Sequence, residues 1–384
     1  MKGNFPIQKF NNLQTPFYFY DTELLRETLQ TVVAEATKYD YHIHYAVKAN
    51  ANSRILSIIR ENGLGADCVS GGEIQAALNA GFPAGKIVFA GVGKADWEIN
   101  LGLDNDIFCF NAESIPELEV INELAGLKGK TARVALRINP EINAHTHHHI
   151  TTGMKENKFG INLDQLDKVL DTLETLPFVK LIGLHFHIGS QLTEMEPFQA
   201  LCNRVNELQQ RLAKRKITVE HINFGGGLGI DYEHPNRHSL PDFKEYFQLF
   251  HKHFPAYPNQ KVHFEPGRSI VGQCGSLISK VLYVKEGSVK KFIILDAGFT
   301  ELIRPALYEA YHKIENLSSE EPEEMYDVVG PICESSDCFG KQLDLNKAHR
   351  GDIIAIRSAG AYGEIMASQY NCRQLPKAYF SDLI

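Results

Sequence analysis

From about residue 40 to residue 267 the chain repeats one pattern: a short apolar run, a turn, an amphipathic stretch, then another apolar run. The strand candidates are YHIHYAVKA (41–49), GADCVS (65–70), KIVFAG (86–91), DIFCFN (106–111), ARVALRIN (132–139), KLIGLHFHIG (180–189), VEHINFGG (219–226) and KVHFEPG (261–267). Between them, SRILSIIREN places isoleucines at 55, 58 and 59, and LDQLDKVLDTLETL places leucines at 163, 166, 170, 173 and 176. Both spacings line one face of a helix. Asn162 is suited to cap the second of these, Gly81 to end a helix before Phe82-Pro83, and a further helix is expected over about 22–38. Strands that alternate with helices pair in parallel, and eight of them close a (β/α)8 barrel. An open doubly wound sheet is the competing α/β arrangement, but no early GxGxxG accompanies it.

After Gly267 the texture changes. SLISKVLYVKEG, KKFIILDAG, YDVVGPIC and GDIIAIRSAGAYG are short β-rich runs separated by turns. The expectation is therefore a barrel over 22–267 and an all-β domain made of 268–384 and 1–21, with the segment through PFYFYD lending it a strand. Two domains suit a chain of 384 residues. The net charge of −8, with no Lys/Arg block, argues against a nucleic-acid surface. No run approaches the roughly 20 apolar residues of a membrane span, and MKGNFPIQKF lacks the apolar core of a signal peptide. Seven cysteines without a CxxC pair suit neither a zinc site nor a disulfide framework, so a reducing, cytoplasmic setting is expected and no metal. Consecutive histidines rarely converge on one ion, and the cluster at 145, 147, 148 and 149 is read as carrying no metal.

Barrel chemistry gathers at the C-terminal ends of the strands, and four unusual groups fall there. Lys48 follows YHIHYAV; desolvation favours the neutral amine, the form that condenses with an aldehyde. His185 and His187 share one face of a strand by alternation, and His187, nearer the mouth, can lie against a planar ring, with Ser190 beyond it to donate to a phosphate. The run Gly225-Gly226-Gly227-Leu228-Gly229 lets backbone N–H groups converge on an anion. Glu265, in Glu265-Pro266-Gly267-Arg268, can pair with a pyridinium nitrogen and keep the ring an electron sink. Taken singly, each has a blander reading: a surface lysine, a core histidine, a flexible turn, a structural Glu–Arg pair. In barrel order they are the parts that pyridoxal 5'-phosphate requires.

With YAVKAN, HIGSQ, GGGLGI, EPGR, GPICESSD and AYG in series, the chain resembles the fold-type III pyridoxal-phosphate decarboxylases, which have an alanine-racemase-like barrel. Leu302-Ile303-Arg304-Pro305-Ala306-Leu307-Tyr308 and Cys333-Glu334-Ser335-Ser336-Asp337 bring it nearest to the branch that acts on diaminopimelate. The resemblance implies that Lys48 carries the cofactor, with Asp67 nearby, His187 on its ring and Glu265 at its nitrogen. Ser190, Gly226, Gly227, Gly267, Arg268 and Tyr362 would complete the cofactor site. Arg268, Arg304 and Tyr308 would bind the substrate's distal carboxylate and Glu334 its distal ammonium, with Tyr362 also at the substrate. It also implies a homodimer in which Cys333 and Glu334 reach the partner's active site. Asn157, before Lys158-Phe159-Gly160-Ile161, stands where the resemblance leads one to expect serine.

The expected reaction is decarboxylation of meso-2,6-diaminopimelate to L-lysine and CO2, a small amino-acid substrate. A thiol with an ordinary pKa of about 8.5 stays protonated near neutrality, which suits Cys333 to protonate the carbanion carbon. Two arginines grip a carboxylate bidentately, so lysine and ornithine, without that distal group, are expected to be poor ligands. A carboxynorspermidine, ornithine or arginine decarboxylase of the same fold is the alternative. A racemase is disfavoured by Glu265, since racemases of this fold tend to set arginine against the ring nitrogen. The non-enzyme alternatives are a cofactor carrier, which would be a barrel alone, and a regulatory pseudoenzyme, which would be expected to lack Lys48 or Cys333.

Overall fold

The structure is a computed structural model that describes residues 5–142 and 158–384. The histidine cluster at 145–149 and Asn157 lie outside the described residues. The first strand, β1 (Phe17–Tyr20), is followed by the helix Thr22–Thr37. Then come β2 (Tyr41–Ala46), β3 (Gly65–Cys68), β4 (Ile87–Phe89), β5 (Cys109–Ala112), β6 (Ala132–Arg137), β7 (Val179–His185), β8 (His221–Asn223) and β9 (Lys261–Phe264). These eight pair in parallel, each with the next, and β9 returns to β2 with Tyr41 opposite Val262, closing the barrel. Every strand candidate in the sequence overlaps one of them, and β5 and β7 each reach one residue beyond theirs, to Ala112 and from Val179.

The helices between them begin where side chains cap them. Asn52 accepts from Arg54 N at the start of Ser53–Glu61, and Ser70, Ser114 and Asp242 do the same for Gly71–Asn79, Ile115–Leu127 and Phe243–His253. Gly81 ends the Gly71–Asn79 helix as expected. It takes φ +84° and donates to the Leu78 carbonyl, a conformation that favours glycine. The Asn162 cap is a correction. The helix runs Leu166–Leu173 with no side-chain cap bond, and the Asn162 amide oxygen instead accepts from Asn139 Nδ2 at 3.2 Å. A polar side chain near a helix start takes whichever donor the tertiary structure offers.

The chain divides into two compact units, one of residues 29–229 and 242–267, the other of 1–28, 230–241 and 268–384. In the second unit β10 (Gly275–Glu286), β11 (Lys291–Leu295), β12 (Ile314–Asn316), β13 (Glu323–Val329), β14 (Cys338–Asn346) and β15 (Ile353–Ile356) form a sheet in the order β12-β15-β10-β11-β13-β14. Strand β1 joins it, antiparallel to β10 and parallel to β16 (Lys377–Phe380), which is the strand expected from PFYFYD. Its core packs Phe10, Phe17, Phe19, Ile278, Leu317 and Ile353. The barrel core includes Val88, Cys109, Ala135 and Ile182, four inward residues of neighbouring strands. Among the described residues no helix is long and apolar enough to cross a membrane.

Candidate active site

In the barrel unit, the residues singled out from the sequence stand at or just beyond the C-terminal ends of the strands. Lys48 lies half-buried in a single 3-10 turn, Val47–Ala49, immediately after β2. The turn is held down by Ala46 N donating to the Pro266 carbonyl at 3.1 Å, which ties the end of β2 to the segment after β9. Asp67, in β3, is 3% exposed, and its Oδ1 has no hydrogen-bond partner among the described residues. Burial, then the nearby Glu265, pushes its pKa well above the usual carboxylate range, with the Lys48 charge opposing. His187, two residues past β7, keeps part of its surface open yet lies deep in the mouth. Burial, with the Lys48 and Arg137 charges, pushes its pKa well below the usual value.

Glu265 follows β9 and is 6% exposed. His185 Nε2 lies 2.8 Å from its Oε2, and Asn223 Nδ2 donates to its Oε1 at 2.6 Å. Asn111 Nδ2 reaches the same oxygen at 3.5 Å. Burial alone would raise this carboxyl; the charge and hydrogen bond of His185, with the Asn223 bond, outweigh it and hold the pKa down to about 2. A buried carboxylate kept ionised at a barrel mouth is a ready partner for a cationic ring nitrogen.

The glycine run after β8 is required by close backbone approach. A Cβ on Gly226 would lie 2.3 Å from the Glu265 carbonyl, and one on Gly225 2.2 Å from the Phe186 carbonyl. Gly227, at φ +119°, would meet the Gly189 carbonyl at 3.0 Å. Asn223 couples this turn to Glu265, because its Oδ1 accepts from Gly225 N at 2.9 Å while its amide holds the carboxylate. Ser190 sits in the turn after β7, beside Gln191 at φ +60°. Gly267 packs its α-carbon against Ala46 and Ala49, where a Cβ would meet theirs at 3.0 and 3.1 Å.

In the second unit, Arg268 opens the short helix Arg268–Val271 and Arg304 opens Arg304–Tyr308. They are 5% and 7% exposed. The Tyr362 ring lies 4.9 Å from the Arg268 guanidinium and 5.8 Å from that of Arg304, and Tyr308 lies 6.0 Å from Arg304. Among the described residues Arg304 meets no carboxylate. Burial, then the charge of Arg268, lowers its pKa. These four expected residues are thus gathered. Cys333 and Glu334 are exposed, on the loop between β13 and β14. That loop is pinned from beneath: Asp337 accepts from Phe299 N and Ile332 N, each at 2.7 Å, and Tyr370 donates to Glu334 at 2.6 Å.

The sequence reading missed Asn111 and Asn223 altogether, and His185 as a partner of Glu265. A signal was present, since each is a polar residue closing an otherwise apolar strand run. It also missed Tyr232, whose hydroxyl accepts from Arg268 Nη1 at 2.5 Å, and His312, which accepts from Arg304 Nε at 3.4 Å. Neither carried a local signal.

The residues of the barrel mouth fit pyridoxal phosphate. An ionised Glu265, a glycine turn with no room for side chains and the unsatisfied Asp67 oxygen near Lys48 each answer one part of it. Residues 24–272 match the family model described as pyridoxal-dependent decarboxylase, pyridoxal binding domain. The chain is 69% identical over 383 residues to diaminopimelate decarboxylase of Bacteroides thetaiotaomicron, covering 100% of this chain and 99% of that one. It resembles the crystal structure of diaminopimelate decarboxylase from Helicobacter pylori complexed with L-lysine, with a TM-score of 0.91, 39% identity and coverage of 97% and 93%. A lysine/ornithine decarboxylase of Vibrio vulnificus, at a TM-score of 0.84 but 18% identity, over 97% and 96% of the two chains, shares the fold. The chain belongs to the pyridoxal-dependent decarboxylases, in the diaminopimelate decarboxylase family.

Proposed function

We propose that the chain decarboxylates meso-2,6-diaminopimelate to L-lysine and CO2, using pyridoxal 5'-phosphate. The observation that carries the substrate is Arg304, a buried guanidinium beside Arg268 and set among tyrosines, with no carboxylate among the described residues to neutralise it. Burying such a charge is costly unless an anion completes the site. A distal carboxylate supplies it, and ornithine and arginine, as substrates, have none.

Lys48 would provide the amine that holds the cofactor, with Asp67 near it. His187 would lie against the ring and Glu265 would pair with the ring nitrogen. Ser190, Gly226, Gly227, Gly267, Arg268 and Tyr362 would complete the cofactor site. When bound, pyridoxal phosphate supplies an electron sink for the carbanion left as CO2 departs. Glu265 keeps its charge because His185 and Asn223 stabilise the ionised form. Arg268, Arg304 and Tyr308 orient the substrate by its far carboxylate, Glu334 takes the far ammonium, and Tyr362 also borders the substrate.

Cys333 delivers the proton to the carbanion carbon. Its exposure, on a loop fixed by Asp337, supports a homodimer in which Cys333 and Glu334 serve the partner's active site. The division proposed is 22–267, which carries Lys48, His187 and Glu265, and 1–21 with 268–384, which carries Arg304, Tyr308, Cys333 and Glu334; the compact units differ from it in assigning 22–28 and 230–241 to the second. A cytoplasmic location fits cysteines that are all unpaired.

One expectation is corrected: lysine, expected to be a poor ligand for want of a distal carboxylate, keeps as the product the carboxylate of the far end and is a ligand by this reading. The Helicobacter pylori relative, crystallised with L-lysine, is consistent with that correction.

The test is CO2 release from meso-diaminopimelate, ornithine, arginine and carboxynorspermidine by the protein supplied with pyridoxal phosphate. Release from diaminopimelate alone is expected, and Arg304→Ala should lower kcat/KM for it by about tenfold to a hundredfold, the loss of charged hydrogen bonds. Preferential release from another substrate overturns the role given to Arg304.

A further inference from the structure

Two side chains of the second unit touch the arginines from behind, and their role rests on Arg268 and Arg304 binding the distal carboxylate. His312 is 1% exposed, and its Nδ1 lies 2.9 Å from the Arg357 carbonyl. A carbonyl cannot donate, so the ring proton sits on Nδ1 and Nε2 is left as a lone pair. Burial, then the Arg304 charge, holds the His312 pKa down to about 3, and the ring stays neutral. That lone pair receives Arg304 Nε–H at 3.4 Å, a long but directed bond.

A guanidinium can meet a carboxylate side-on, through Nε and one Nη, or end-on, through both Nη groups. With Nε turned to His312, Arg304 has the end-on edge left. Tyr232 acts on the other arginine, its hydroxyl accepting from Arg268 Nη1 at 2.5 Å. The Tyr232 and His312 rings meet edge-on at 5.1 Å, so the two supports brace each other. Tyr232 arrives on the 230–241 segment, which is fastened by Asn236 accepting from Arg357 Nη2 at 2.9 Å. Arg357 in turn is held by Glu315 at 2.6 Å. One connected frame therefore runs from Glu315 through Arg357 to both arginines.

We propose that His312 and Tyr232 are positioning residues, His312 aiming Arg304 end-on at the distal carboxylate and Tyr232 holding Arg268 beside it by its Nη1, and that they so set the preference for a substrate that carries one.

The experiment uses the holoenzyme with His312→Phe, His312→Gln and Tyr232→Phe. His312→Phe is expected to raise KM for meso-diaminopimelate about tenfold, the size of one hydrogen bond to a charge, with kcat and the visible absorbance of the bound cofactor little changed. The inhibition constant of L-lysine, which keeps the distal carboxylate, should rise by the same factor. That of cadaverine, which has no carboxylate, should not move. His312→Gln, whose amide both donates and accepts, should recover most of the loss, and Tyr232→Phe should act in the same direction.

Lysine and cadaverine weakened equally would mean general damage and would overturn the proposal, as would variants that match an active wild type. If the wild type neither turned over diaminopimelate nor bound lysine, the activity reading and this proposal would fall together. Should His312→Phe not fold, Tyr232→Phe, which removes one oxygen, carries the same comparison.

Discussion

Both ends of the barrel carry buried polar side chains, and the two ends treat them differently. At the mouth, Glu265 is surrounded by His185, Asn223 and Asn111 and stays a carboxylate. At the opposite end, His42, His44, His221 and His263 line a cavity of about 440 Å³ with Tyr41, Leu64 and Phe108. His44 Nδ1 lies 3.1 Å from the Lys86 carbonyl, which fixes the proton there. His44 Nε2 then accepts from His263 Nδ1 at 3.0 Å, and His263 Nε2 from His221 Nδ1 at 2.9 Å. Three neutral rings thus satisfy one another in a directed chain. Burial pushes all four histidines below the ordinary value, His44 to about 4. A charge kept by its partners serves chemistry. A neutral network satisfies the polar groups of a floor, and the N-terminal face of a barrel contributes to stability.

The sharpest way to break this contrast is Lys48→Ala. Turnover should fall on the order of 10⁴-fold, as for other residues on which the chemistry depends, while the melting temperature hardly moves. Steady-state CO2 release and thermal melts check both halves; a large drop in Tm with residual turnover would reverse the assignment. Next comes Glu265→Gln, for which kcat should drop by about 10² to 10³, the scale of losing one preorganised electrostatic partner. The same kinetics on His263→Asn should show kcat within about threefold of wild type, and a drop as large as that of Glu265→Gln would end the distinction.

The third test is pH. His44 has a lower pKa folded than unfolded, so the unfolded chain binds more protons between the two values. Its stabilisation is complete above about 6.5 and is lost as pH falls toward about 4, amounting to on the order of 3 kcal/mol. Urea unfolding at pH 7 and pH 4.5 should show this loss, and His44→Gln should reduce it. A profile unchanged by that substitution would show that the floor does not titrate as described. The smallest effect is expected from His44→Leu at pH 7. It strands the Lys86 carbonyl and His263 Nδ1 for a cost of about 1–3 kcal/mol, read as a shift in the urea midpoint with kcat preserved.

Much of the barrel was legible because its signals are local. The β2 candidate YHIHYAVKA and the β8 candidate VEHINFGG announce strands by their apolar content and by the turn residues that follow. The helix limit at Gly81 comes from a single residue with a defined backbone preference. The cap assigned to Asn162 failed for the complementary reason, since Asn139 competes for its oxygen across the fold. The strand Cys338–Asn346 gives little local signal because its polar, glycine-containing sequence has weak alternation, and pairing with β13 supplies what the pattern lacks. At the site, Lys48, Glu265 and the glycine run were conspicuous as odd residues at strand ends, and the arginine pair entered through family motifs.

What the sequence determined by itself is therefore the alternating plan, the residues at the strand ends and the family. Periodicity and turn chemistry act over a few residues and survive in any reading of the chain. What the tertiary structure alone decided is which buried groups keep a charge. Glu265 depends on His185, 80 residues away, and on Asn111, 154 residues away. The neutral floor needs His44 against His263 across 219 residues, and the arginines need Tyr232 and His312. Protonation and aim are set by atoms within about 3 Å, and only folding brings such distant residues that close.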